Sequence, residues 1–577
     1  MKAIAWRHAF GLIRGHPLAF FTSFGVYCLF FALTLAPGLF TRAIFDSLGG
    51  HAPTTSSVWG LIVAMLALEL SRFGLLYVGG VMFNVFYYLS EALLKSNMMR
   101  WLVAAPGARV LPGTPGEAVS RFRDDTLETV GLATILIVSP QILTGAAGFA
   151  IMLSIDAPIA LVVVLPLLAT VSVTYLLTRN IQRVRKAARE ATARVTSFIG
   201  ETFGAAQAIK LAGADGRVVG RLEALNDARR KASVRDLMFT NALMFFNGNV
   251  AAVGTGAVLF LAAAAMRQGS FTVGDLTLFA SYLGLASATP NLVGQILATE
   301  RQARVSIDRM RTLTDGAPPL HLVQPPRSAR EPGPTRGERL ETLTVRGLTR
   351  LHPGSVRGVE GVDLDLRRGQ FVVVTGPVGA GKTTLLRALL GLVPRDRGEV
   401  AWNGVPVADP SAFMVPPRCA YLAQAPRLFS ESLRDNILMG FAADPAGVDA
   451  AVTLAVFEDD VAGFERGLET LVGTRGVTLS GGQLQRAAAA RMFVRGADLV
   501  VFDDLSSALD VETEKTLWRR LMADSARTCL AVSHRREAFR RADEIVVLED
   551  GRVAARGGAD WLLTRSALFR RIWGESD

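Results

Sequence analysis

Long apolar stretches dominate the first 300 residues, near 18–45, 58–87, 130–154, 157–178, 237–266 and 271–298. A helix needs about 20 mostly apolar residues to cross a bilayer. So many runs of that length would demand an improbably large core in a water-soluble protein. The pattern therefore predicts an α-helical membrane domain of six transmembrane helices over residues 1–315. Residues 316–340 are rich in Pro, Gly and Arg without periodicity and read as a linker. From 341 to 577 short apolar runs at Phe371–Thr375, 419–423, 499–502 and Thr528–Val532 alternate with helical patterns. That alternation predicts an α/β domain around a mainly parallel sheet. A late hairpin, 544–548 with 552–556, turns at Asp550-Gly551.

Charge orients the apolar segments. The formal net charge is +11 and half the residues are hydrophobic. Nucleic-acid binding is not the reading of this charge, because much of it lies beside apolar segments, as membrane orientation requires. Lys2, Arg7 and Arg14 precede the first span, whereas residues 46–57 after it carry no Lys or Arg. Lys95, Arg100, Arg109, Arg121 and Arg123 lie between the second and third spans. A longer basic run from Arg179 to Arg235 separates the fourth from the fifth, and Arg301, Arg304, Arg309 and Arg311 follow the sixth. Both termini and both long connections are therefore expected in the cytoplasm of a multi-pass protein of the cytoplasmic (inner) membrane. Those connections look like spans running on as helices, broken at Pro106-Gly107, Leu111-Pro112-Gly113 and Gly213-Ala214-Asp215-Gly216. The first apolar segment reads as a retained anchor, since no small-residue cleavage site follows a short apolar core. Cys28, Cys419 and Cys529 share no spacing that supports a disulfide or a metal site. Glu69 and Arg72 stand three apart within a span. They read as a self-neutralising pair facing the bundle, or as part of a substrate path.

The chemistry sits in the C-terminal part. Phe371–Thr375 reads as a strand buried on both faces, followed by Gly376-Pro377-Val378-Gly379-Ala380-Gly381-Lys382-Thr383-Thr384 and a helical run from Leu385. This is G-x-x-x-x-G-K-[ST] in its strand–turn–helix setting, which marks a nucleoside triphosphate site. Glycines let backbone N–H groups approach a polyphosphate; Lys382 would meet the β- and γ-phosphates and Thr383 would offer its hydroxyl to Mg²⁺. Asp503 ends the strand 499–502, placed to hold that ion. Leu479-Ser480-Gly481-Gly482-Gln483 opens a helix whose free N–H groups suit phosphate, and His534 follows the strand Thr528–Val532.

The order and spacing of these motifs resembles the ATP-binding cassette. With the apolar spans ahead of it, the whole chain resembles a half-transporter of the ABC exporters, with membrane domain and ATPase fused. The resemblance implies ATP and Mg²⁺ as cofactors and a dimer that sandwiches two nucleotides. Gln424 in Tyr421-Leu422-Ala423-Gln424 looks like the Q-loop glutamine, which meets Mg²⁺ with Thr383 and Asp503. Ser507-Ala508-Leu509-Asp510 looks like the D-loop. Ser480, Gly481, Gly482, Gln483 and Asp510 would then serve the nucleotide held by the partner's P-loop. Gly116 to Arg121 and Gly274-Asp275-Leu276 are similar to recurring exporter sequences.

Three positions depart from the family's pattern. Asp504 follows Asp503 where glutamate is usual, so the carboxylate that polarises the attacking water is one methylene short. His352 stands where an aromatic, often tyrosine, stacks on adenine, and Thr474 replaces a common glutamate. A shortened acid beside an intact LSGGQ is the pattern of the degenerate member of heterodimeric exporters. It tilts the reading toward a heterodimer over a homodimer. The resemblance implies ATP-driven export of an amphipathic molecule, lipid, drug or peptide by alternating access. The alternative is an ATP-gated regulatory or channel-like half that hydrolyses little itself. A soluble cassette ATPase is a third class, which the apolar spans oppose.

Overall fold

The structure, a computed structural model, describes residues 2–49, 58–104, 115–325, 338–352, 354–355, 357–473, 478–504, 509–524 and 527–574. The chain divides into two compact units, Met1–Arg100 with Leu111–Pro326, and Arg327–Asp577 with Trp101–Val110.

The first unit is helical throughout its described residues, and a helix falls on each apolar stretch of the sequence. Pro17–Leu33 and Ala36–Leu48 share the first stretch, Val58–Ala104 covers the second, and Thr126–Thr134 with Pro140–Ile155 the third. Ala157–Gly204, Asp215–Arg267 and Val273–Leu313 cover the rest. Pro17–Leu48 and Val58–Ala104 are long and apolar enough to cross a membrane as they stand, and Pro140–Ile155 and 273–286 are shorter apolar helices. Two stretches read as continuous are interrupted. The first turns at Thr34–Leu35 and the third at 135–139. In each case a proline then opens the next helix, where its missing N–H leaves no bond unmade. The helices 157–204 and 215–267 run far past any bilayer length and pack along each other, with a break at Gly213, whose φ is 59°. A further break at Ala205 was not expected from the sequence. The proline and glycine pairs at 106–107 and 111–113 lie outside the described residues.

Helix Val273–Leu313 is the spine of this unit, packing on 36–48, 126–134 and 140–155. Thr272 and Asp275 form a capping box at its start, and Asp275 also binds Arg42 at 2.8 Å. Gly38 lies so close to Tyr282 that a Cβ there would be 2.5 Å from the ring, while the Tyr282 hydroxyl donates to the Leu35 carbonyl at 2.6 Å. Small residues at such crossings let helices approach without a hydrophobic driving force between them. Arg72 donates to Glu69 at 2.6 Å and to Thr34 at 3.2 Å, so the charged pair is neutralised and tied to the turn in the first stretch. A helix at Lys2–Gly15 buries Ala5, His8, Ala9 and Leu12 on one face. The stretch read as linker begins with an ordered turn at His321–Val323, and Asn97 donates to the Leu322 and Gln324 carbonyls at 2.9 and 2.8 Å.

The second unit holds two sheets. An antiparallel sheet of order β2-β1-β4-β5 comprises β1 (Thr342–Leu351), β2 (Gly358–Arg367), β4 (Arg397–Trp402) and β5 (Val405–Pro406). A sheet of order β10-β9-β3-β8-β7-β6 contains β3 (Phe371–Thr375), β6 (Cys419–Leu422), β7 (Leu499–Asp503), β8 (Thr528–Val532), β9 (Glu544–Glu549) and β10 (Arg552–Gly557). All its pairings are parallel except the β9–β10 hairpin. Every residue of β3 is buried: Phe371 and Val373 face one core and Val372 and Val374 the other. That two-sided burial is why the strand shows no polar alternation.

Candidate nucleotide and cation site

The P-loop joins β3 to helix Lys382–Leu389. Gly376, Gly379 and Gly381 have φ of 150°, 86° and 94°, a region that side chains strain to adopt. Space forbids a side chain at two of them: a Cβ on Gly376 would lie 2.2 Å from the Leu548 carbonyl oxygen, and one on Gly381 2.3 Å from that of Gly358. Val378 is fully exposed at the loop tip and Ala380 is buried beneath it. Lys382 Nζ donates to the Gly376 and Pro377 carbonyls at 2.7 and 2.9 Å, so the loop curls around its own lysine. A cavity of about 350 Å³ beside it is lined by His352, Arg357, Gly379, Gly381, Lys382, Thr383 and Thr384 among others. Thr384 Oγ1 lies 3.5 Å from His352 Nε2, so the chain brings the expected stacking position to the P-loop.

Behind the loop stands the acidic pair. Asp503 ends β7 and is buried, with Oδ1 accepting from Thr383 at 3.0 Å and Oδ2 from the Tyr421 hydroxyl at 3.3 Å. Burial pushes its carboxyl above the usual carboxylate range, against the Thr383 and Tyr421 hydrogen bonds and the Arg387 charge. Asp504 has φ 60° and hangs from the Val532 carbonyl by its N–H at 3.1 Å. Burial raises its carboxyl too, opposed by Arg535, a hydrogen bond from Gln424, and Lys382. Burial lowers Lys382, with Asp504 and Asp503 pulling it back. His534 is half-buried and held below its ordinary value by burial first and Lys382 second. Thr383, Asp503 and Gln424 supply hard oxygen donors, which suits Mg²⁺; among the described residues no cluster of three or more His, Cys, Asp or Glu forms a cage for a metal.

The LSGGQ segment is built as a helix start. Ser480 caps Gly481–Phe493: its hydroxyl accepts from the Gln483 N–H at 3.3 Å, and the Gln483 side chain accepts from the Ser480 N–H at 3.0 Å. Asp460 fixes the turn, accepting from Gln483 at 3.0 Å and Arg486 at 2.9 Å. Neither Ser480, Gly481, Gly482 nor Gln483 lines the cavity at this chain's own P-loop. Asp510 caps helix Val511–Met522, accepting from the Glu512 and Thr513 N–H groups at 3.1 and 2.9 Å and from the Thr513 hydroxyl at 2.7 Å. Residues 474–477 and 505–508, and with them Thr474 and the first half of the D-loop, lie outside the described residues. Sequence reasoning assigned no role to Tyr421, Arg535 or Asp460. Tyr421 was within reach of it, since it stands three residues ahead of Gln424 on the strand beside Asp503.

These two units match known families. A family model described as ABC transporter matches residues 359–507, and one described as ABC transporter transmembrane region matches residues 18–289. The chain belongs to the ABC transporters, with membrane domain and ATPase fused in the manner of an exporter. It is an ATPase coupled to transport. The ATP-dependent lipid A-core flippase of Bordetella pertussis is 26% identical over 488 residues, covering 83% of this chain and 77% of that one. The protein of the same name in Chromobacterium violaceum is 28% identical over 502 residues, covering 83% and 81%. The multidrug resistance-like ATP-binding protein MdlA of Escherichia coli is 31% identical over 329 residues, covering 56% and 53%. Among solved structures, a bacterial Atm1-family ABC exporter with ATP bound superposes with a TM-score of 0.77 at 22% identity, covering 96% of this chain and 98% of the other, which shows the fold.

Proposed function

We propose that the chain is one half of a dimeric ATP-driven exporter of amphipathic molecules in the cytoplasmic membrane. Residues 1–315 form its membrane domain, 316–340 its linker and 341–577 its cytoplasmic ATPase. The observation that carries this reading is the joining, in one polypeptide, of a helical membrane region to an ATPase whose P-loop, Asp503 strand and LSGGQ helix are all formed. Relatives named as lipid A-core flippases and multidrug proteins support a lipid-like or drug-like substrate.

In this mechanism His352 and Gly376 to Thr384 hold ATP, with Lys382 exchanging the Gly376 and Pro377 carbonyls for phosphate oxygens. Ser480, Gly481, Gly482, Gln483 and Asp510 complete the partner's site, which their absence from this chain's own P-loop cavity supports. Thr383, Asp503 and Gln424 would hold Mg²⁺, which supplies charge neutralisation at the phosphates. Asp504 orients the attacking water and His534 faces the γ-phosphate. Closure of the two ATPase domains turns the membrane cavity outward, and hydrolysis resets it. Vanadate-sensitive ATPase activity stimulated by amphipathic substrates in proteoliposomes, together with their translocation, is the expected result. Ion conductance with no ATP turnover would overturn it.

The short acid at 504 supports pairing with a different half that carries glutamate there. This chain's nucleotide would then turn over slowly while its LSGGQ serves the faster site. Copurification of such a half from the native membrane is the test; recovery of a fully active homodimer would refute this part alone.

A further inference from the structure

Tyr421 is the residue at the cation corner that the established activity leaves without a role. It lies on β6, in parallel register with β7, where Tyr421 pairs with Val501 and Leu422 with Phe502. Its phenol reaches forward past Phe502 to Asp503 Oδ2 at 3.3 Å. The other oxygen, Oδ1, is held by Thr383 at 3.0 Å. Arg387, one turn along the P-loop helix from Thr383, places its charge near the phenol. Thus the carboxylate is gripped from one neighbouring strand and one helix, one donor to each oxygen.

We infer that Tyr421 is a positioning residue for the cation site, holding the orientation of the Asp503 carboxylate that would take the ion. The two donors differ in what they can do next. Thr383 belongs to the group that would hold the ion, so its hydroxyl must be able to leave Asp503. Tyr421 carries no such second duty. When Thr383 turns away, Tyr421 remains a side-chain donor on Asp503, and a buried carboxylate with one anchored oxygen keeps its orientation. The ring also packs against the core beneath the P-loop, which alone would be a purely structural role. Removing the hydroxyl and keeping the ring separates the two.

The test titrates the intact chain in lipid nanodiscs with Mn²⁺, in the presence of a non-hydrolysable ATP analogue, reading free Mn²⁺ by electron paramagnetic resonance. Tyr421→Phe should weaken Mn²⁺ binding by about three- to tenfold, the order expected for one lost hydrogen bond to a charged group. Affinity for the analogue in EDTA should be unchanged, an outcome that a loosened P-loop would not give. Arg387→Gln, which leaves the strand intact, should shift Mn²⁺ binding the same way by less, and serves if the Phe variant folds poorly. Wild-type Mn²⁺ affinity in both variants overturns the inference. The inference rests on placing the cation at Thr383 and Asp503, and Asp503→Asn tests that placement separately. If Asp503→Asn alone weakens Mn²⁺ binding, the role of Tyr421 fails and the placement stands. If Asp503→Asn also binds normally, the placement itself fails.

Discussion

Replacing Asp504 by glutamate restores the missing methylene and moves the carboxylate about 1.5 Å further along the side chain. A misplacement of ~1 Å in a catalytic group can cost on the order of 10²-fold in rate, equivalent to about 2.7 kcal/mol of barrier. If the short arm limits hydrolysis, Asp504→Glu should raise kcat by about ten- to a hundredfold. The structure sets the terms on which this gain is reached. The backbone at 504 has φ 60°, which aspartate tolerates better than glutamate, so the variant should also lose stability on the order of 1 kcal/mol. The carboxyl now hydrogen-bonds Gln424 and lies near Arg535 and Lys382, contacts that a longer arm changes. The assay is steady-state ATPase activity of the purified dimer in nanodiscs, with unfolding followed in parallel so that lost protein is not mistaken for lost rate. An unchanged or lower kcat in a folded variant would refute the reasoning that arm length limits this site. Glutamate with the same activity would mean that Gln424 and Arg535 already place the shorter carboxylate well enough.

Lys382→Ala removes the cation that bonds the Gly376 and Pro377 carbonyls and should weaken ATP binding by at least about tenfold, read by equilibrium dialysis; unaltered affinity contradicts the P-loop assignment. Gly381→Ala places a Cβ 2.3 Å from the Gly358 carbonyl oxygen at φ 94°, and should cost at least about 2 kcal/mol. For a domain of this size that is a fall of about 4–8 °C in the ATPase melting temperature, whereas Gly463→Ala, with open space around it, should not lower it. His8 and His321 are both held below the usual histidine value by burial first, with Arg311 adding to each and Arg7 to His8. The Ile4 and Pro318 carbonyls at 2.8 and 3.1 Å oppose the shift. A depressed folded pKa means that the stability they contribute is complete above about pH 6.5 and is lost as pH falls below it. Hydrogen exchange in residues 2–15, corrected for its intrinsic pH dependence, should therefore rise between pH 7.5 and 5.5; a flat profile counts against it.

The catalytic domain was legible where one-dimensional patterns map onto one element each. The strand Phe371–Thr375 lies between two cores, so its sequence is apolar at every position, and the glycines after it are forced by carbonyls 2.2 and 2.3 Å from where a Cβ would sit. The antiparallel sheet was not read, although Leu343 and Val345 alternate with polar neighbours, as do Val362, Leu364 and Leu366. Its strands carry bulges near Leu348 that break the period after a few residues. The helix Lys2–Gly15 escaped because its apolar stripe of Ala5, Ala9 and Leu12 runs directly into the longer apolar stretch beyond Pro17. Contacts made at a distance along the chain left no local trace. Asp460 on Gln483 and Asn97 on Leu322 are each pairs that only the fold brings together.

The two halves of the nucleotide machinery differ in how firmly they are set. The LSGGQ turn is held by reciprocal Ser480–Gln483 hydrogen bonds and again by Asp460, and its glycines carry no strain in φ. Asp504 sits on a left-handed backbone with a short side chain tethered to Gln424, the residue expected to meet the cation. A glutamine engaged by Asp504 is less available to Thr383 and Asp503, so the departure at 504 reaches the cation site as well as the water. On the proposed reading both effects would slow hydrolysis at this chain's own P-loop, and neither would touch the surface it would offer a partner. A shortened carboxylate that weakened one site would therefore leave the other intact, which is the physical content of the heterodimer proposal. On that reading Asp504→Glu should free Gln424 and tighten Mn²⁺ binding as well as raise kcat. A rise in kcat with Mn²⁺ affinity unmoved would separate the two effects and assign the defect to the water alone.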